Sequence, residues 1–192
     1  MIISHAHRFV FAHVPKTGGI AMRAALEPFA DADADVLRET THETLPALVA
    51  RKPELSGYFK FAFVRNPWER LVSFYAYARR YLAGTLPQLQ ETSFAGMIRL
   101  IDSGAAWLEP LHVLRPQSDY ARGADFIGRF ERMGDDFSRI CARLGLSAAL
   151  SRRNASEHGA YATYYNDWSR GFVAARYAED IHEFGYAFEA NS

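Results

Sequence analysis

Three short apolar runs in this 192-residue chain end abruptly in polar, turn-forming sequence. Arg8 to Val14 (RFVFAHV) is aromatic and β-branched and stops at Pro15. Tyr58 to Val64 (YFKFAFV) stops before Asn66-Pro67, and Asp125 to Phe130 (DFIGRF) is the third. Runs of this length and composition predict buried strands. Between them the pattern changes to a helical period. Ile20 to Leu26 reads as a helix behind the Gly18-Gly19 turn. Leu71, Val72, Tyr75 and Leu82 fall near one helical face, behind a start signal in which Asn66 caps, Pro67 opens the first turn and Glu69 completes a capping box. Phe137, Ile140, Cys141 and Leu144 mark a further amphipathic helix, and Arg170 to Ile181 is expected to be the last. Strands separated by helices predict an α/β fold with a central, mainly parallel sheet and right-handed crossovers. With no internal repeat and no long linker, residues 1–192 read as one domain.

Composition narrows the chemistry. Lysine plus arginine and aspartate plus glutamate balance at 22 each, so no global field recruits nucleic acid or an anionic membrane, and any anion site must be local. A single cysteine, Cys141, excludes a disulfide framework and a cysteine-cluster metal site, and its apolar neighbours make it a core residue. Met1 to Val10 contains no long apolar run, so neither a signal peptide nor a membrane anchor is expected, which points to a cytoplasmic location. The alternating aspartates from Asp31 to Asp35 lack the ligand spread and glycine turn of a calcium loop, so no metal site is expected.

In parallel α/β sheets ligands collect beyond the carboxyl ends of the strands. Two of those ends are unusual. The first reads Pro15-Lys16-Thr17-Gly18-Gly19 before a helix. Glycines let the backbone approach closely, amides point inward, the helix dipole favours an anion and Lys16 adds a full charge. The lysine precedes the glycines, so the order of a nucleoside-triphosphate P-loop is absent. The second reads Arg65-Asn66-Pro67-Trp68-Glu69-Arg70-Leu71-Val72-Ser73. An Asp at this place would serve a metal–nucleotide enzyme; an arginine suits a second phosphate, which it grips with a bidentate fork.

The first segment resembles the 5′-phosphosulfate loop of the sulfotransferases that use PAPS (3′-phosphoadenosine-5′-phosphosulfate). Pro15, Lys16, Thr17, Gly18 and Gly19 match it, while Ile20 and Ala21 stand where that family usually has hydroxyl residues. The second resembles the family's 3′-phosphate motif, which carries 3′-phosphate binding onto Arg65 and Ser73; Arg70 reads as a structural or salt-bridging residue. With Gln117 to Tyr120 and Asp125 to Glu131, the chain is similar to bacterial members of the carbohydrate sulfotransferase group that includes the uronyl 2-O-sulfotransferases. That resemblance implies a P-loop-like three-layer fold, PAPS as donor with PAP as product, and a saccharide hydroxyl as acceptor. It also implies a late loop over the adenosine 3′-phosphate, carried here by Arg153, Asn154 and Ser156 with Tyr161 and Tyr164.

Transfer to a hydroxyl needs a general base, and histidine suits neutral pH. The resembled enzymes place theirs between the two phosphate motifs, which assigns the role to His42; the adjacent Glu43 is the alternative. His13 reads as a buried structural residue. Gln117, Asp119 and Tyr120 fit either an acceptor-facing role or a core-and-turn role. Two rival readings remain: a PAP- or PAPS-binding module without catalysis, and a P-loop-type small-molecule kinase.

Overall fold

The computed structural model describes residues 1–31, 42–108, 110–150 and 159–189. The sheet opens with a strand the periodicity did not predict, β1 (Ile2–Ser4), which pairs antiparallel with β2 (Phe9–Ala12). The predicted strands follow in parallel as β2, β3 (Phe59–Val64) and β4 (Phe126–Arg129), in the order β1-β2-β3-β4. Helices α1 (Gly19–Leu26) and α2 (Leu45–Arg51) fall between β2 and β3. Helices α3 (Pro67–Tyr81), α4 (Phe94–Asp102) and α5 (Gln117–Ala121) precede β4. After it come α6 (Met133–Leu144), α7 (Asp167–Arg176) and α8 (Ala178–Phe184). The fold is α/β, with a mostly parallel sheet flanked by helices, as the pattern of runs predicts.

Contacts divide the chain into two compact units. The first comprises Met1–Arg65 and Gln117–Asn154, the second Asn66–Pro116 and Ala155–Ser192. In the first unit the register sets Phe11 beside Phe61, and Phe61 beside Phe126. Strand alternation therefore collects Phe9, Phe11, Phe61 and Phe63 on one face, where they pack with Met22 and Leu26 of α1 and Phe137, Ile140 and Cys141 of α6. Fully burying each phenylalanine contributes roughly 1.5–3 kcal/mol. Cys141 is thus a core residue, as its spacing indicates. The smaller Val10, Ala12, Ala62 and Val64 alternate to the other face and are equally buried.

The second unit has its own core, in which Trp68, Leu71, Val72 and Tyr75 of α3 meet Met97 and Ile98 of α4 and Val173 of α7. Arg70 is buried inside this unit, where one guanidinium nitrogen donates to the Val113 and Arg115 carbonyls, both at 2.8 Å. It is structural, as expected.

Local details differ from the sequence pattern. Strand β2 begins after Arg8 because Arg8 is left-handed (φ 52°). Asn66 caps α3 by accepting from the Trp68 N–H, one residue short of the amide that a capping box uses. The last predicted helix is two, broken at Tyr177 (φ −112°, ψ 31°), whose buried hydroxyl donates to the Leu114 carbonyl at 3.1 Å. That tertiary bond and the burial of the ring set the break. Among the described residues no helix is long and apolar enough to cross a membrane, and none group as a metal cluster.

Candidate active site

The loop after β2 owes its shape to close approaches. Lys16 adopts a left-handed backbone (φ 68°), and Gly18 follows at φ 83° as the N-cap of α1. A Cβ on Gly18 would lie 2.6 Å from the Met133 sulfur, and one on Gly19 would lie 1.8 Å from His13 Nε2. Both positions require glycine. The buried Thr17 hydroxyl donates to the Val14 carbonyl at 2.9 Å and closes the turn. Helix α1 starts with no side-chain cap, so the Gly19 and Ile20 amides have no intrahelical acceptor. Amides and dipole arranged in this way can hold an anion, as in a phosphate cradle.

Lys16 is the cation of this cradle. A non-glycine residue in the left-handed region costs about 1–2 kcal/mol, a strain that clusters at functional sites. Burial, and secondarily the charge of Arg65, pull its amine down to about 8. Ile20 is 58% exposed at the first turn of α1 and Ala21 is buried, so neither supplies a hydroxyl to the cradle.

Arg65 stands at the end of β3 and is only 3% exposed. Its backbone is held at both ends: the N–H donates to Gln117 Oε1 at 2.9 Å, and Gln117 Nε2 donates back to the carbonyl at 2.8 Å. The guanidinium lies 3.9 Å over the Phe130 ring and sends Nη1 to the Lys16 carbonyl at 3.4 Å. Phe130 also borders Gly18, at 3.4 Å from its Cβ direction. The two strand ends therefore share one wall. Gln117 serves as a backbone clamp, and its distance of 52 residues from Arg65 leaves no local signal for that role.

His42 reaches this wall through a short, well-anchored turn. Thr44 caps α2 by accepting from the Ala47 N–H at 3.3 Å, and Leu45 and Leu48 bury that helix. The half-buried His42 ring lies 4.6 Å from that of His13. Its Nδ1 is 3.1 Å from the His13 carbonyl. A carbonyl can only accept, so Nδ1 carries a proton, and in the neutral ring the lone pair is then on Nε2. That tautomer is the one a base requires. Glu43 instead pairs with Arg51 at 2.7 Å. His13 is buried against Gly19, and burial followed by the neighbouring His42 holds its imidazole well below the usual histidine range.

The remaining site residues belong to the second unit, to α5, or lie outside the description. Ser73 is 1% exposed on α3, in the second unit. Arg153, Asn154 and Ser156 lie outside the described residues. Tyr161 and Tyr164 are packing residues of the second unit. The Tyr161 hydroxyl accepts from the Glu189 N–H at 2.7 Å, and Tyr164 meets Tyr75 and Phe94 edge-on. Tyr120 is fully buried on α5.

A model of the Sulfotransferase family matches residues 1–187, and the chain belongs to that family. Carbohydrate sulfotransferase 14 of Mus musculus is 28% identical over 172 residues, covering 73% of this chain and 45% of that protein. Carbohydrate sulfotransferase 14 of Danio rerio is 28% identical over 179 residues, 76% of this chain and 48% of that protein. An uncharacterized protein of Archaeoglobus fulgidus is 28% identical over 113 residues, 57% of this chain and 89% of that protein. The chain spans less than half the length of these carbohydrate sulfotransferases. No solved structure matches it.

Proposed function

We propose that this member of the Sulfotransferase family transfers a sulfuryl group from PAPS to an acceptor hydroxyl, on a saccharide, and that residues 1–192 act as one catalytic domain. The observation that carries the reading is the contact of His42 Nδ1 with the His13 carbonyl, which in the neutral ring leaves the lone pair on Nε2, beside a histidine that packs on Gly19. The cradle fits a 5′-phosphate in one respect: the opening Gly19 and Ile20 amides of α1 lack intrahelical acceptors, as an anion site at a helix start requires.

The donor, when bound, supplies a sulfuryl group already activated on a phosphate leaving group. His42 Nε2 takes the proton from the acceptor hydroxyl as its oxygen bonds to sulfur. Lys16 stabilises the negative charge that develops on the phosphate oxygen as its bond to sulfur breaks. Pro15 and Thr17 hold the loop in shape, and the backbone at Gly18, Gly19, Ile20 and Ala21 faces the phosphate. Arg65 forks the 3′-phosphate from a fixed backbone. Ser73, Arg153, Asn154 and Ser156 are assigned to the nucleotide on their motifs alone.

The test is transfer from labelled PAPS onto a panel of saccharides. His42→Ala should abolish transfer with PAP affinity nearly intact, and His42→Asn should not restore it. Full activity in His42→Ala would remove the base assignment. A second reading, a nucleotide-binding module without catalysis, is favoured by the exposed Ile20 at a cradle position. Tight PAP binding with no transfer to any acceptor would establish it instead.

A further inference from the structure

His13 lies at the junction of the loop and the base, with two features that packing alone does not require. Its ring is only 8% exposed, yet among the described residues Nδ1 has no hydrogen-bond partner. A buried polar atom without a partner costs roughly 1–3 kcal/mol, which a hydrocarbon side chain would avoid. The ring also fills the space that any side chain at residue 19 would need, and it lies 4.6 Å from the His42 ring at an interplanar angle of 48°. Phe11 stacks on it with ring centroids 6.2 Å apart.

We propose that His13 is a positioning residue for His42: a neutral imidazole, wedged between Gly19 and His42, that steadies the proton His42 takes up during transfer. This rests on His42 being the base. The His13 carbonyl holds Nδ1 of His42, so the proton gained at Nε2 leaves an imidazolium with both nitrogens protonated. At this ring separation the nearest atoms are within van der Waals reach. A neutral imidazole offers that cation a π-face and a ring-nitrogen dipole. A second cation would instead repel it. His13 stays neutral because it is buried and because His42, the Met1 amine, Arg23 of α1 and Lys16 all disfavour its protonation. Glu43, on the loop before α2, is itself paired with Arg51 at the end of that helix.

The experiment is direct titration of His42 by NMR in ring-labelled protein, together with the acid limb of kcat/KM, in His13→Leu and His13→Asn. Both variants keep the backbone carbonyl. Leucine removes every ring nitrogen, whereas the asparagine amide puts a polar atom near the position of Nδ1. Thermal melts report whether each variant folds, and the NMR titration reads His42 whether or not transfer is measurable. In His13→Leu the His42 titration should move down by about half a pH unit or more, with the acid limb following, and His13→Asn should recover most of that shift. An upward shift in His13→Leu would mean that native His13 is a charged competitor. An unmoved titration would mean that its ring merely packs. Either overturns the proposal. Lack of transfer in the native protein would sink the enzymatic reading while leaving the titration result to stand by itself.

Discussion

The chain leaves β2 through a left-handed lysine in a glycine loop, and leaves β3 through an arginine clamped on both backbone atoms by a glutamine. Lys16 is half-buried and strained, and its amine is pulled down to about 8. Arg65 is almost fully buried on Phe130. One strand end thus presents a cation whose charge responds to its surroundings, and the other a fork in a fixed place. A charge that must respond to a bond being broken suits the first end. Recognition of an unchanging phosphate suits the second.

The largest effect expected from breaking this contrast is at Lys16. Lys16→Ala should lower the single-turnover transfer rate by about 100- to 1000-fold, the scale of losing an electrostatic stabiliser of the transition state, while PAP affinity changes little. An unchanged chemical step with weakened PAP binding would reduce Lys16 to a docking charge. The same residue sets a pH dependence. The protonated amine is the active form, and it is lost as pH rises through about 8, so kcat/KM in the free enzyme should fall above that pH. Lys16→Arg, which stays charged, should shift that limb out of range; an unmoved limb would belong to another group.

At Arg65 the expected loss is in selectivity rather than rate. PAP should bind much better than 5′-AMP, and Arg65→Gln should narrow the gap by roughly 2–4 kcal/mol. Calorimetry that finds equal binding of PAP and AMP to the native protein would remove the 3′-phosphate from this strand end. The smallest effect concerns backbone alone. Because the left-handed φ penalises any Cβ, Lys16→Gly should be more stable than Lys16→Ala by about 1 kcal/mol in denaturant unfolding. No difference between them would show that the loop relaxes once the lysine is gone.

Much of this could be read along the chain. The β-branched and aromatic runs gave β2, β3 and β4 because buried parallel strands need continuous apolar sequence. β1 escaped because its three residues are too few to show a period. The helix around Phe137 and Ile140 was legible from its apolar spacing. The break at Tyr177 was not, because it depends on a bond to Leu114, 63 residues away.

At the candidate site the order of residues determined which groups are available: a lysine before paired glycines, an arginine at the next strand end, a histidine between them. These follow from local chemistry, since a tight turn, a helix start and a phosphate cradle each draw on neighbouring residues. Only the tertiary structure decided how those groups are held. It set the His42 tautomer through a carbonyl 29 residues earlier in the chain. It also fixed Arg65 through Gln117 and Phe130, and brought His13 against Gly19. Hydrogen-bond partners and ring contacts of this kind form when the sheet brings separate strand ends together, so no stretch of sequence carries them alone.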